Sequence, residues 1–235
     1  MILNIQKKLG KQDVMNKIAL IVAAGSGSRM KSEIPKQFLL LNNKPVLYYS
    51  IKAFLDAYEN IEIILVLPAE HIPKGQEIID GYFDSSKFKI TAGGRTRFHS
   101  VQMGLSLIND EAIVFVHDGV RCLVTSGLIK RCYESALEIG TAVPSVECLD
   151  SLRMITRNGN KIIDRNKIKL VQTPQTFHSK ILLPAFEIDY KEQFTDEASV
   201  VEAFGLKINL IEGEVNNIKI TTPQDLKLAS LLLPE

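Results

Sequence analysis

The sequence IALIVAAGSGSRM occupies residues 18–30, and its first half decides the fold. Seven apolar residues, 18–24, follow one another without a polar break until Gly25. A continuous apolar run of this length predicts a strand that is buried on both faces, as in a parallel sheet with helices on each side. The glycines that follow predict a loop whose backbone can approach a ligand closely.

Similar apolar runs recur along the chain and alternate with helical patterns. Further strands are predicted at 61–67, 112–116, 141–146 and near 207–211. Helices are predicted at 46–57, 98–108, 126–139, 195–203 and 223–233. This alternation predicts an α/β fold with a mostly parallel, doubly wound sheet, in which ligands bind beyond the carboxyl ends of the strands.

The stretch 148–171 departs from this rhythm, because polar and apolar residues alternate around Asn158-Gly159, a strong hairpin signal. We predict an inserted β-arm here, although an edge hairpin packed on its own domain fits the pattern equally well. Residues 18–235 are otherwise predicted to form a single domain. Residues 1–17 are a polar leader, expected to be a flexible or loosely docked tail unless translation starts at Met15.

Composition and charge exclude several functional classes. The formal net charge is +1 with 23% charged residues, so no broad basic field for nucleic acid is expected. The three cysteines, Cys122, Cys132 and Cys148, lack paired spacing, which argues against a disulfide framework or a zinc cluster and favours the cytoplasm. No apolar run reaches the roughly 18 residues of a membrane span, and the polar start lacks a signal-peptide centre. We therefore expect neither membrane attachment nor export.

The loop after the first strand is the strongest candidate for phosphate binding. Its backbone N–H groups can point at phosphate oxygens, which makes nucleotide-binding candidates of Ala23, Ala24, Gly25, Ser26, Gly27 and Ser28. It is not a Walker A loop, since no Gly-Lys-Ser/Thr follows, and Met30 replaces the third glycine of a dinucleotide motif. Arg29 and Lys36 follow in the same loop and present two positive charges to a triphosphate.

Two later loops carry further candidates. Gly93, Gly94 and Arg95 precede a helix start that includes Ser100, which provides backbone and hydroxyl groups able to bind a base or ribose. The segment His117-Asp118-Gly119-Val120-Arg121 follows a strongly apolar strand, so Asp118 lies where magnesium bound to phosphates could be held. The alternative for Asp118 is a loop-capping carboxylate. His117 is interpreted as a structural hydrogen-bonding group, because a phosphate nucleophile needs no base.

Seven motifs in this order carry a resemblance to a known family. They are AAGSGSRM, PKQF, AGGRTRFHSV, VHDGVR, VQTPQTF, TDEASVVE and NNIKITTPQDL. Together they closely resemble the 2-C-methyl-D-erythritol 4-phosphate cytidylyltransferase family, from about residue 18 to residue 233. The resemblance implies a Rossmann-like nucleotidyltransferase fold, a homodimer formed through the β-arm, and dependence on Mg²⁺ or another divalent cation. It also implies CMP transfer from CTP to 2-C-methyl-D-erythritol 4-phosphate, with release of pyrophosphate.

The resemblance also assigns roles to residues that bind the nucleotide. Arg29 and Lys36 match the pair that stabilises the pentacoordinate phosphate. Gly93, Gly94 and Ser100 match the segment that reads cytidine. Asp118 matches the aspartate linked to the metal, and the nucleotide-binding candidates in the two later loops include Arg95 and Arg121.

A second set of residues matches the site of the polyol phosphate. Lys219 and Arg165 match the two positioning residues, with Ser151 and Thr173 as hydrogen-bonding neighbours, and Arg165 is expected to reach the active site of a second subunit. Two departures are modest: Gly-Val-Arg-Cys follows the His-Asp pair where Ala-Ala-Arg-Pro is common, and Ser151 replaces a usual threonine. The alternatives are a ribitol 5-phosphate cytidylyltransferase and, more distantly, a non-catalytic CTP-binding sensor.

Overall fold

A computed structural model describes residues 15–25, 30 and 34–233 of the chain. Its strands are β1 (Asn16–Val22), β2 (Leu40–Leu41), β3 (Lys44–Pro45), β4 (Ile61–Leu67), β5 (Phe88–Ala92), β6 (Ala112–Asp118), β7 (Thr141–Glu147), β8 (Leu152–Thr156), β9 (Gly159–Ile163), β10 (Lys169–Val171), β11 (Gln175–His178) and β12 (Leu210–Glu212). Its α-helices are α1 (Val46–Ala57), α2 (Ile72–Tyr82), α3 (Arg97–Leu105), α4 (Ser126–Ile139), α5 (Ser179–Ala185), α6 (Glu197–Ala203) and α7 (Pro223–Leu232).

The main sheet has the strand order β10-β7-β11-β6-β1-β4-β5, with β12 paired to β7. β1 pairs in parallel with β4 and β6, and β4 pairs in parallel with β5. β11 is antiparallel to both β6 and β7, so β7 runs in the same direction as β6, and β12 is parallel to β7. Only β11 and β10 run the other way among the described strands of this sheet. The predicted mostly parallel sheet is confirmed.

The apolar run in β1 is continuous because both faces of the sheet are covered. Ile18, Leu20 and Val22 pack in one hydrophobic cluster with α3, α5 and α6. Ala19 and Ile21 pack on the opposite face, in a second cluster with α1, α2 and α4. Burial of each large aliphatic side chain contributes about 1.5–3 kcal/mol, so both layers stabilise the sheet. The doubly wound arrangement is confirmed.

Local capping explains where the helices begin and end. The predicted helices at 46–57 and 126–139 have the expected bounds, and Thr125 caps the second by accepting a hydrogen bond from the Leu128 N–H. The predicted start at residue 195 is wrong, since the Asp196 side chain accepts from the Ser199 N–H and α6 begins only after it.

The alternating stretch forms a hairpin, as predicted. β8 and β9 pair with each other as a separate antiparallel sheet. Ile155 is 82% exposed and Ile162 is 74% exposed, which does not fit a hairpin packed on its own domain. The predicted arm is too long at its end, because residues 169–171 form β10, where Leu170 pairs with Val146 of the main sheet.

Other predicted bounds change where pairing continues beyond the apolar run. β1 begins two residues earlier than predicted and ends at Val22, and the last strand lies at Leu210–Glu212 rather than at 207–211. β6 continues to Asp118, which pairs with Val22 at the end of the strand. Strands β2, β3, β5 and β11 and helices α2 and α5 lie outside the predicted elements. None of the described helices is long and apolar enough to cross a membrane.

Candidate active site

The candidate site lies where the carboxyl ends of β1, β4 and β6 meet. β4 and β6 flank β1 on opposite sides, so the order in which the chain adds parallel strands reverses at β1, and a crevice is expected there. Backbone hydrogen bonds join the loops at this edge: Gly93 N–H donates to Leu67 O (2.7 Å), and Gly119 N–H donates to Val22 O (2.9 Å). The predicted glycine-rich loops therefore lie side by side.

A cavity of about 450 Å³ opens at this edge. The predicted residues that line it are Ala23, Ala24, Gly25, Lys36, Gly94, Arg95, Ser100, Asp118 and Lys219. Ser26, Gly27, Ser28 and Arg29 lie outside the described residues. Gln37, Thr96, Arg97 and Thr221 also line the cavity and were not predicted as site residues.

Gly93 marks the closest approach of the two glycine-rich loops. A Cβ atom at this position would lie 2.5 Å from the Cβ of Ala24 and 2.9 Å from the Oγ of Ser100. The Ser100 hydroxyl accepts from the Gly94 N–H (3.2 Å) and donates to the Thr96 carbonyl (2.9 Å). Ser100 therefore fixes the turn at Gly94 to the start of α3. The absence of a side chain at Gly93 allows this turn to contact Ala24 of the first glycine-rich loop.

Lys36 is positioned by contacts on both sides of its short 3-10 turn. Its Nζ donates to the Ile220 carbonyl (2.9 Å). The neighbouring Gln37 is buried, and its Nε2 donates to the Ala23 carbonyl (2.8 Å). These bonds place Lys36 at the cavity wall, between the first glycine-rich loop and the segment that carries Lys219.

Asp118 lies at the centre of a cluster of cations. Its Oδ2 is 2.8 Å from Lys219 Nζ and 3.7 Å from Arg121 Nε, and its Oδ1 is 3.2 Å from Arg97 Nε. Burial alone would raise the pKa of Asp118, but Arg97, Lys219 and Arg121 outweigh it and hold the pKa well below its usual range. Asp118 is therefore ionised, as a metal ligand must be.

A second buried carboxylate holds Arg97. Glu197 is 1% exposed, and its Oε1 and Oε2 each accept a hydrogen bond from the Arg97 Nη atoms. Burial raises the pKa of Glu197 and Arg97 opposes that rise. Because both oxygens face N–H donors, neither has an acceptor for a proton, and the group is a carboxylate. Three cations, Arg97, Arg121 and Lys219, face two carboxylates, Asp118 and Glu197. The cluster therefore has one excess positive charge, and Lys36 lines the same cavity.

Behind Asp118, a chain of hydrogen bonds fixes the end of β6. The Asp118 N–H donates to Thr173 Oγ1 (3.1 Å), which lies 3.2 Å from His117 Nδ1, and His117 Nε2 lies 3.2 Å from the Arg121 carbonyl. A carbonyl only accepts, so Nε2 carries the proton and Nδ1 accepts from Thr173. Burial lowers the pKa of His117 to about 3, so it is neutral and structural, as predicted.

Besides Gly93, four of the predicted site residues do not line the cavity of their own chain. Thr173 is buried and its hydroxyl accepts from the Asp118 N–H, so its predicted role toward the substrate stays a prediction. Arg121 lies behind Asp118 and donates to the Asn217 carbonyl (2.7 Å). Ser151 and Arg165 are exposed, and Arg165 donates to the Leu149 carbonyl.

The described residues include no group of three or more His, Cys, Asp or Glu that could hold a metal ion. Among the described residues, Asp118 is the carboxylate that lines the cavity. Magnesium commonly keeps several water ligands and binds through one or two carboxylates together with substrate phosphates. One ionised carboxylate in a cavity of small-molecule size fits a cation that arrives with a triphosphate.

Arg97 and Glu197 are the charged site residues that sequence reasoning missed. Arg97 stands in AGGRTRFHSV and Glu197 in TDEASVVE, so both lie in motifs that carry the family resemblance. A glutamate directly after a capping Asp196 is common at the surface of a helix start. The burial of Glu197 and its pairing with Arg97 are visible only in the structure, because they depend on which segments pack over the start of α6.

Comparison with known proteins gives a consistent result. A sequence model of the 2-C-methyl-D-erythritol 4-phosphate cytidylyltransferase family matches residues 17–235. The chain is 46% identical over 219 residues to the protein of that name from Bacteroides fragilis. The aligned region covers 93% of this chain and 100% of the relative. Among solved structures it is similar to the enzyme of that name from Francisella tularensis (32% identity, 93% and 100% covered, TM-score 0.76). The enzyme from Thermus thermophilus is also similar (30% identity, 92% and 98% covered, TM-score 0.73).

Proposed function

This chain belongs to the 2-C-methyl-D-erythritol 4-phosphate cytidylyltransferase family, and on that basis we propose that it transfers CMP from CTP to 2-C-methyl-D-erythritol 4-phosphate. The products are 4-diphosphocytidyl-2-C-methyl-D-erythritol and pyrophosphate. The observation that carries the proposal is the cavity at the switch point of the sheet, which combines two glycine-rich loops with Lys36 and Lys219. Its size suits a small-molecule site.

The reaction needs no covalent enzyme intermediate. A phosphate oxygen of the polyol phosphate attacks the α-phosphorus of CTP in line, a new P–O bond forms, and the bond to pyrophosphate breaks. Catalysis then comes from positioning and from stabilisation of the charge on the pentacoordinate phosphate. Lys36 lies at the cavity wall for this task, and Arg29, which lies outside the described residues, is the second cation by family resemblance.

The nucleotide is read by backbone and hydroxyl groups. Ala23, Ala24 and Gly25 line one wall, and the Gly94 turn with Ser100 lines the other. Between two loops that touch at Gly93, cytosine fits better than a larger purine. Arg95, which lines the cavity, and Arg121, behind Asp118, add positive charge for the phosphates.

The polyol phosphate is held by Lys219 from the same chain and by Arg165 of a second subunit. Ser151 and Thr173 are proposed as its hydrogen-bonding neighbours. The arm supports a homodimer, because Ile155 and Ile162 are exposed on a two-stranded hairpin that needs a partner surface.

The proposed cofactor is Mg²⁺ or another divalent cation, held by Asp118 together with the phosphates of CTP. When bound, the cation screens the negative charge that would repel the incoming phosphate. The chain itself supplies the ionised carboxylate, since Arg97, Lys219 and Arg121 keep the pKa of Asp118 low.

We place the enzyme in the cytoplasm, without a nucleic acid or membrane partner. The net charge of +1 supports the first exclusion. Cys122, Cys132 and Cys148 are free and buried, which suits a reducing compartment.

Pyrophosphate release, measured with CTP and each polyol phosphate in turn, tests the proposed function. Release with 2-C-methyl-D-erythritol 4-phosphate supports it, whereas release with ribitol 5-phosphate alone identifies the other cytidylyltransferase. CTP binding without release with either acceptor identifies a sensor. Replacing CTP by ATP serves as the control for base recognition.

A further inference from the structure

Glu197 is a buried acid that does not line the active-site cavity. It is the first residue of α6, and its two carboxylate oxygens bind the two Nη atoms of Arg97. Arg97 does line the cavity and uses its remaining nitrogen, Nε, to contact Asp118 Oδ1. Glu197 is thus connected to the cavity through one other side chain.

Asp118 is held at both oxygens, which fixes the rotation of its carboxylate. Oδ1 accepts from Arg97, and Oδ2 lies 2.8 Å from Lys219 Nζ. The position of the Lys219 ammonium at the cavity wall therefore depends on the Arg97 contact. We infer that Glu197 is a positioning residue: through Arg97 and Asp118 it sets the place of Lys219 and, with it, the affinity for the polyol phosphate.

The physical reason lies in the geometry of a guanidinium. Because Glu197 accepts from both Nη atoms, Arg97 is oriented so that its contact with Asp118 is made through Nε. Without Glu197, the Nη atoms would be free to form a bidentate pair with Asp118, which is stronger than the present single contact. Arg97 would then compete with Lys219 for the Asp118 oxygens, so the Lys219 ammonium would be held less firmly.

This inference rests on the proposed function and is tested with Glu197→Gln in the full-length protein. The substitution keeps the shape of the side chain and removes its charge. We expect the KM for 2-C-methyl-D-erythritol 4-phosphate to rise about tenfold, and the KM for CTP, whose cation Asp118 is proposed to hold, to rise by a smaller factor of about threefold or less. A purely structural role would lower the active fraction, so kcat would fall while both KM values stayed constant, and that result would overturn the inference.

A double-substitution cycle identifies the route of the effect. If Glu197 acts through Lys219, then Glu197→Gln adds no further rise in KM for the polyol phosphate when Lys219→Ala is already present. Independent, multiplying effects would contradict that route. Calorimetric titration of the polyol phosphate into nucleotide-free protein measures the same coupling without turnover. If the wild type binds the polyol phosphate but shows no turnover, the proposed function is refuted. The role of Glu197 is then still tested by the change in polyol phosphate affinity in Glu197→Gln.

Asp196→Asn is the matched control, since Asp196 caps the same helix and binds Gln175 rather than Arg97. It should lower the thermal midpoint and leave the KM for the polyol phosphate unchanged. Should Glu197→Gln fail to fold, the paired substitution Arg97→Met with Glu197→Leu removes both charges, a change that buried ion pairs often tolerate. It also removes the Asp118 anchor, so a raised KM is expected, and a normal KM in the folded protein would overturn the inference.

Discussion

Lys36 Nζ donates a hydrogen bond to the backbone carbonyl of Ile220, with an N···O distance of 2.9 Å. The Ile220 N–H in turn donates to the Val120 carbonyl (3.0 Å), directly beyond β6. One short segment therefore joins the loop of Lys36, the end of β6 and the neighbouring Lys219. The two lysines of the proposed site keep a common spacing because both depend on this segment.

Lys36→Ala should slow the chemical step far more than it destabilises the protein. Loss of one charge-stabilising donor costs about 2.7–4 kcal/mol, so kcat should fall roughly 100- to 1000-fold with both substrates saturating. Steady-state kinetics and thermal melting measure the two effects. Lys74→Ala, at an exposed lysine paired with Glu77, is the control. Near-normal turnover of Lys36→Ala would contradict the role, and Arg29→Ala carries the same expectation by resemblance.

Gly93→Ala should separate the two glycine-rich loops. The new Cβ would lie 2.5 Å from the Cβ of Ala24, so the loops must move apart. We expect weaker CTP binding, measured by calorimetry, with the fold retained. Gly81→Ala is the matched control, because nothing lies within 4 Å of a Cβ there. Unchanged CTP affinity in Gly93→Ala would show that the loop contact does not shape the nucleotide site.

Removal of divalent cations should stop the reaction. An unshielded triphosphate repels the incoming phosphate, and Asp118 is the proposed protein ligand for the cation that shields it. Turnover is measured in excess chelator and then after Mg²⁺ is restored, with recovery expected only in the second case. Full activity in excess chelator would show that the reaction does not depend on a cation bound by Asp118.

His117 should make the protein less stable in mild acid. Its folded pKa of about 3 lies below the unfolded value, so only the unfolded state takes up a proton as the pH falls through about 6.5. Its contribution is fully present above that pH, and about 2 kcal/mol of it should be lost between pH 7 and pH 5.

Urea unfolding of wild type and His117→Gln at both pH values measures this loss. The variant should lose less stability on acidification than the wild type. An equal loss in His117→Gln and wild type would refute the assignment.

A mixed dimer should recover activity from two inactive proteins. If Arg165 serves the neighbouring subunit, a Lys36→Ala chain still donates Arg165 and an Arg165→Ala chain still owns Lys36. Random exchange makes half of the dimers mixed, with one intact site in each, so about a quarter of wild-type activity is expected. The two variants are partly unfolded, mixed, refolded and assayed beside each alone. Mixed dimers, demonstrated by mass, that remain inactive would place Arg165 in the site of its own chain.

Several features follow from the sequence because they depend on neighbours along the chain. The run 18–24 predicts a strand with two covered faces, and Asn158-Gly159 predicts a hairpin, since turn geometry is a local property. The glycine-rich loops and Asp118 are found at strand ends, where a parallel sheet brings them to one edge. Lys36 follows in the same loop, and motif resemblance extends this set to Lys219.

Other features depend on segments that are distant along the chain, so local patterns cannot predict them. Nothing near Glu197 indicates that it faces Arg97, and the exposed or buried state of a charged residue is set by what packs over it. The same holds for Thr173, whose hydroxyl reaches Asp118 because β11 inserts between β6 and β7. The sequence by itself determined the fold class, the glycine-rich loops and two cations of the candidate site, Lys36 and Lys219. Only the tertiary structure decided which carboxylate holds which cation, because ion pairing depends on distance in space and on exclusion of water.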